Sequence, residues 1–179
     1  MTCIIGLVHG GSVYIGGDSA AVAGWVDTRT TLPKVFRTGE FLIGFTTSFR
    51  MGQLLQYQLR VPEQDKTIGK VEFIITVFVP AVMAVLKDHA FATIENNTET
   101  GGQFLVGYKG SLFEVGSGFG VTVPPAGMGA VGCGEEFAIG AMAASEGLPP
   151  KQRIKNALKI VARYSGGVSG PFCIEELKG

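Results

Sequence analysis

The residues of this chain best suited to chemistry are Thr2, Asp18 and Lys34. Thr2 follows Met1, and its small side chain is compatible with removal of that methionine by a cellular aminopeptidase. Removal would give Thr2 both a hydroxyl and a free α-amine. An α-amine titrates at about 7.7–8.0, so near neutral pH part of it is unprotonated and able to take the hydroxyl proton. If Met1 stays, the same nitrogen is an amide and no base. Asp18 follows an apolar stretch and Gly16-Gly17, glycines that permit close backbone approach. Lys34 opens a stretch after Leu32-Pro33. A lysine and a carboxylate meeting at strand ends would favour ionisation of a nearby hydroxyl and stabilise developing negative charge. Each residue alone has a plainer reading. Met-Thr is a common start, and Asp18 and Lys34 could equally be surface charges or a structural ion pair.

Other chemistries find little support. The cysteines, Cys3, Cys133 and Cys173, are odd in number and match no zinc spacing. Reduced thiols and a cytoplasmic location are the simple expectation. His9 and His89 are the only histidines and lie far apart, which argues against a His-based metal site or a Ser-His-Asp triad. Gly116-Ser-Gly-Phe-Gly120 lacks the lysine and the strand-loop-helix setting of a phosphate loop. No cofactor is expected. Fifteen basic residues balance fifteen acidic ones with no basic run, so a nucleic-acid partner has no footprint. The most apolar stretch, Val71 to Leu86, holds Glu72 and Pro80 and falls short of a membrane span of about 20 residues. It reads as a buried helix. No secretory signal is evident, so Asn96-Asn97-Thr98 reads as polar loop rather than a glycosylation site.

The elements that must position the three residues can be placed. Thr2 to Val8 and Val13 to Gly17, around Gly10-Gly11, predict a hairpin that ends at Asp18. Ala20 to Thr31 predicts a loop or short irregular strands. Lys34 to Arg37 and Phe41 to Phe45, around Thr38-Gly39, predict a second hairpin. Met51, Leu54, Leu55 and Leu59 recur at helical spacing, with Ser48 as a cap and Pro62 beyond the end. A second helix is expected over about Lys70 to Phe91, bent or begun at Pro80. Thr93 to Gly102 reads as a polar loop. Gln103 to Tyr108 and Ser111 to Val115 flank Lys109-Gly110 as a third hairpin. Helices over Glu135 to Glu146 and Lys151 to Tyr164 and a strand over Pro171 to Leu177 complete the order. Cys3 and Cys173 fall in apolar runs and are expected to be buried; Trp25 and Phe45 are candidates for a substrate pocket or for core. The chain, 179 residues with a positive mean hydropathy, fits a single domain over 1–179 with extra surface buried between subunits. Strands grouped between helix pairs suggest an α+β fold with two central sheets and helices outside.

Several short stretches, in this order and spacing, resemble proteasome β subunits, and still more their compact HslV-type relatives. They are Thr2-Cys-Ile-Ile-Gly, Ile15-Gly-Gly-Asp18-Ser-Ala-Ala-Val-Ala-Gly24, Pro33-Lys34-Val35, Ile43-Gly-Phe-Thr-Thr-Ser48, Ala130-Val-Gly-Cys-Gly134, Tyr164-Ser165-Gly-Gly167 and Ile174-Glu-Glu-Leu177. The resemblance spans nearly the whole chain. It implies a four-layer αββα sandwich of the N-terminal-nucleophile (Ntn) hydrolases and a threonine-type peptidase. Thr2 would be the nucleophile and its own amine the base. Lys34, held by Asp18, would support it. A backbone N–H at Thr47 or Ser48 would form the oxyanion hole, with Cys133 and Ser165 in support. It also implies homo-oligomeric rings, peptide or unfolded-protein substrates and an ATP-dependent unfoldase partner.

The departures from that pattern keep alternatives open. Thr47-Ser48 stands where the family has Gly-Gly, Cys133 where it has a serine, and Ala162 where canonical-type β subunits carry an aspartate that HslV-type enzymes also lack. A small-molecule amidase and a non-catalytic assembly subunit are the two other readings.

Overall fold

The computed structural model describes residues 1–23, 26–91, 93–95 and 98–179. Strand β1 (Cys3–His9) turns through Gly10-Gly11, both at positive φ, into β2 (Ser12–Gly17). Short strands β3 (Ala20–Ala23) and β4 (Val26–Arg29) pair with each other. They are followed by β5 (Val35–Thr38) and β6 (Phe41–Phe45), which form the second predicted hairpin. Helix α1 (Phe49–Tyr57) begins at Ser48, whose hydroxyl accepts from the N–H groups of Arg50 and Met51, as a cap should.

The next helical run holds α2 (Lys70–Phe73), a π turn over Ile74–Phe78 and α3 (Val79–Asp88). Pro80 stands in the first turn of α3, where the run returns from the π turn to α geometry, so the helix is begun anew there without being broken. The missing proline N–H is absorbed by the wider turn just before it. The expected buried helix holds on one face only. Phe73, Phe78, Val82 and Leu86 are buried, but Val71 and Ile75 are each 48 % exposed, so one face is apolar and open. The segment read as a polar loop from Thr93 to Gly102 instead contains a small hairpin, β7 (Thr93–Glu95) with β8 (Thr98–Thr100). Three-residue strands are too short to leave a period-2 signature in sequence. Asn96, Asn97 and Trp25 lie outside the described residues.

Strands β9 (Phe104–Tyr108) and β10 (Ser111–Val115) form the third predicted hairpin. Then come β11 (Val121–Thr122), β12 (Met128–Gly132), α4 (Glu135–Ala144), α5 (Pro150–Tyr164) and β13 (Cys173–Leu177). Among the described residues the strands build two main antiparallel sheets, ordered β12-β1-β2-β13 and β11-β10-β9-β6-β5.

Three apolar clusters hold these parts together. Ile4, Val13 and Ile15 meet Val35, Leu42 and Leu105 between the two sheets. Phe41, Ile43 and Phe45 share a second cluster with Met51, Leu55, Phe78 and Val82 of the helices α1 to α3. Cys3, Ile5 and Leu7 share a third with Met142, Ile154 and Leu158 of α4 and α5. The alternation along β1 explains this division. Ile4 faces the other sheet, while Cys3 and Ile5 face the helices. Cys3 is fully buried as expected; Cys173 is only half-buried, on the strand at the sheet's edge. The chain is thus α+β.

Candidate active site

Thr2, Asp18 and Lys34 come from three separate strand ends and meet at one end of the two sheets. In the β1–β2 ladder Ile4 pairs with Gly17, so the next step outward sets Asp18 opposite Cys3. The Cys3 N–H donates to Asp18 Oδ1 at 3.0 Å and the Ala20 N–H to Oδ2 at 2.8 Å. Lys34 arrives from the other sheet, immediately before β5. Its carbonyl accepts from the Phe45 N–H at 3.0 Å, which extends the β5–β6 ladder to this residue.

Glycine decides how closely the sheets approach. A Cβ on Gly17 would stand 3.1 Å from Val35 Cγ2 of the other sheet, and one on Gly44 would stand 2.5 Å from Ile4 Cγ2. Without those side chains Lys34 Nζ reaches across to donate to Thr2 Oγ1 at 2.9 Å and to both Asp18 oxygens at 3.1 and 3.2 Å. The pair is sealed from solvent, with side-chain exposures of 1 % for Lys34 and 0 % for Asp18. Such a pair holds only if its remaining hydrogen-bonding capacity is filled. The two backbone N–H groups and the ammonium do this for Asp18. Phe49 adds an aromatic face 5.7 Å from Lys34 Nζ. A positive charge 2.9 Å from the Thr2 hydroxyl favours its ionised form.

In the chain with Met1 attached, the Thr2 hydroxyl also donates to the Met1 carbonyl at 2.6 Å. On the opposite side of Thr2 stands the corner after β12. Cys133 Sγ donates to the Thr2 carbonyl at 3.4 Å and lies 3.8 Å from Ser165 Oγ, the residue that ends α5. Gly132 makes this corner possible. Its φ is +101°, and a Cβ there would sit 2.2 Å from the Thr2 carbonyl oxygen. Ala162 lies in the last turn of α5 and packs partly into the helix-facing cluster. Burial, then the negative Asp18, pushes the Cys3 thiol up to about 12, so this neighbour of Thr2 is no nucleophile.

The turn after β6 supplies backbone donors. Along a strand successive N–H groups point to alternate edges. Phe45 donates to Lys34 on one side and Thr46 to Gln103 on the other, both at 3.0 Å. The strand ends at Phe45, and in the turn that follows the Thr47 N–H has no acceptor among the described residues. The Ser48 N–H turns inward and donates to the Thr46 carbonyl at 2.8 Å. Of the two amides left open by the sequence, Ser48 is engaged, and Thr47 has no acceptor among the described residues. Thr2, Lys34, Val22, Phe45, Thr47 and Phe49 are among the residues around a cleft of about 110 Å³ at this point. Phe45 thus belongs both to this lining and to the core. Thr46, the buried partner of this turn, carries no local signal, because its contact lies 57 positions away at Gln103.

Among the described residues no cluster of His, Cys, Asp and Glu is arranged to hold a metal ion, and no helix is long and apolar enough to cross a membrane.

No protein-family model matches the chain, and no curated protein matches it by sequence. Its structure does match solved ones. BPH of Thiobacillus denitrificans in complex with epoxomicin superposes with a TM-score of 0.83 at 17 % identity, covering 99 % of this chain and 98 % of that one. BPH of the same organism in a second structure gives 0.82 at 18 % identity with the same coverage. Eukaryotic HslV from Trypanosoma brucei gives 0.73 at 20 % identity over 99 % of this chain and 100 % of that one. The chain therefore has the fold of HslV and BPH.

Proposed function

We propose that this chain is a threonine-type peptidase of the HslV and proteasome β-subunit kind, a single Ntn-hydrolase domain with a four-layer αββα architecture. The observation that carries the reading is the Lys34 ammonium, 2.9 Å from Thr2 Oγ1 and anchored on the buried Asp18. The likeness in fold to HslV and BPH supports it, and so does the order of motifs along the chain.

Removal of Met1 does two things in this reading. It frees the Thr2 α-amine to act as a base, and it takes away the carbonyl that now accepts the hydroxyl proton. The amine then takes the Oγ1 proton as Oγ1 bonds to the carbonyl carbon of a peptide. The carbonyl π electrons move to oxygen, and the Thr47 N–H receives that oxyanion. A donor in such a position contributes about 2.7–4 kcal/mol. The oxyanion collapses, the C–N bond breaks, and the ammonium returns its proton to the leaving amine. Water, deprotonated by the same amine, cleaves the ester and restores Thr2. Lys34 stays protonated throughout and stabilises the negative charge on Oγ1.

The substrates in this reading are peptides or unfolded proteins, admitted to a homo-oligomeric ring and supplied by an ATP-dependent unfoldase. Support for subunit contacts comes from the outer face of α4 and α5, where Phe137, Ile160 and Tyr164 are exposed and Phe137 stacks on Tyr164 at 6.1 Å. A cytoplasmic location accords with the free thiols.

Intact mass before and after exposure to epoxomicin or a β-lactone tests the nucleophile. The expected result is a chain lacking Met1 that gains one probe at Thr2, and a Thr2→Ala variant that gains none. Peptidase activity surviving in Thr2→Ala would refute the reading. A small-molecule amidase is the second reading, favoured by the small cleft and by the Thr47 side chain at its rim. Efficient cutting of an unfolded protein excludes it.

A further inference from the structure

We propose that the hydroxyls of Thr46 and Thr47, with the backbone of Gln103, form a clamp that aims the Thr47 N–H at the oxyanion. Thr46 is then a positioning residue for the reaction. This rests on the reading of Thr2 as the nucleophile.

The need for a clamp comes from the backbone. Thr47 has φ of +69° at the centre of the three-residue turn closed by the Ser48 N–H and the Thr46 carbonyl. Glycine takes that conformation freely; a β-branched residue is strained there by about 1–3 kcal/mol, and such strain persists only when the surroundings over-determine it. A relaxed Thr47 would rotate its flanking peptides and change the direction of its N–H.

The surroundings supply the constraint. The Gln103 carbonyl accepts from the Thr46 N–H at 3.0 Å and from Thr46 Oγ1 at 3.1 Å. With its proton committed there, Thr46 Oγ1 accepts from the Thr47 hydroxyl at 3.0 Å. Thr47 Oγ1 in turn accepts from the Gln103 N–H at 3.4 Å. Each hydroxyl proton has one acceptor, and the loop closes on a single backbone residue. Thr46 is 3 % exposed, so its hydroxyl has no water to fall back on. Room for the Thr47 side chain comes from Gly102, where a Cβ would stand 3.0 Å from Thr47 Cβ and 2.8 Å from Met51 Sδ. The side chain that makes the turn strained is also the one that pins it.

The test uses the full chain with Met1 removed and a β-lactone probe, reading the saturating rate of Thr2 acylation separately from the probe concentration at half-saturation. Loosening the donor should cost less than the ~10²–10³-fold of losing one outright, so Thr46→Val is expected to slow acylation about 10-fold with half-saturation unchanged. Thr46→Ser should restore the wild-type rate. Thr47→Val, at an exposed position that tolerates change in folding, should match Thr46→Val. The double variant should be no slower than either single one, because both break one unit. Wild-type acylation in Thr46→Val and Thr47→Val, with Thr2 labelled, overturns the clamp and leaves the nucleophile standing. A wild-type chain that shows free Thr2 but takes no label overturns the nucleophile reading and the clamp with it.

Discussion

The two sides of Thr2 are built very differently. On one side, Asp18 and Lys34 are sealed from solvent, and the Asp18 carboxylate accepts four contacts of 2.8 to 3.2 Å, two from Lys34 and two from backbone N–H groups. On the other, Cys133 is exposed and holds Thr2 and Ser165 through sulfur contacts of 3.4 and 3.8 Å. The first side sets the charge beside the hydroxyl; the second touches only the carbonyl. A buried charge with every partner in place leaves no room for substitution, whereas a weak, solvated thiol contact does. This is why the Asp18–Lys34 side is expected to govern activity, and why the departure at Cys133 is expected to matter little.

Breaking the buried side should have the largest effect. Lys34→Met leaves the Asp18 carboxylate without its cation, and removing one partner of a buried pair costs about 3–5 kcal/mol. Urea denaturation should show that loss. Thr2 acylation should fall about 10³-fold or more, the scale seen when one member of a nucleophile-activating set is removed. A variant of near-normal reactivity would make the pair purely structural.

Gly132→Ala strikes the frame of the exposed side rather than its thiol. A Cβ 2.2 Å from the Thr2 carbonyl oxygen must displace Thr2, and the φ of +101° adds strain. Lower thermal stability by about 1–3 kcal/mol, together with slowed labelling, is the expected outcome.

Cys133→Ala removes only the thiol contact. A neutral hydrogen bond contributes about 0.5–1.5 kcal/mol, so labelling should slow about 2- to 10-fold, with Cys133→Ser at or above the wild-type rate. A loss as large as that in Lys34→Met would erase the contrast between the two sides.

The last effect, on stability and not on labelling, concerns Cys3, which bonds to Asp18 through its N–H and buries its thiol. In the native state the thiol keeps its proton to about 12, while an unfolded thiol loses it near about 8.5. The folded value is the raised one. Stability from this source is therefore whole below the unfolded pKa and is lost as pH rises toward the folded one. Stability measured from pH 8 to pH 11, about the span between those values, should fall less steeply in Cys3→Ala than in the wild type.

Much of this molecule was legible in its residues because the signals were local. Gly10-Gly11, Thr38-Gly39 and Lys109-Gly110 marked three hairpins, and Ser48 marked the start of α1, since turn and cap chemistry acts within a few residues. The strand ends they define put Thr2 and Asp18 at the open end of the first hairpin and Lys34 at the start of the second. The β7–β8 hairpin and the open face of α2 and α3 left no such mark. Three-residue strands have no period, and an apolar run does not say which of its sides meets the core.

Sequence by itself thus determined the three hairpins and main helices and the identities of the residues at their ends. Tertiary structure decided how far apart those residues sit. The missing side chains of Gly17 and Gly44 let one sheet close on the other until Lys34 touched Thr2. It also decided that, among the described residues, the Ser48 N–H has an acceptor and the Thr47 N–H has none, and that Thr46 bonds to Gln103. Both depend on strands β6 and β9 lying side by side, and backbone propensity, which acts over a few residues, cannot encode a contact across 57 positions.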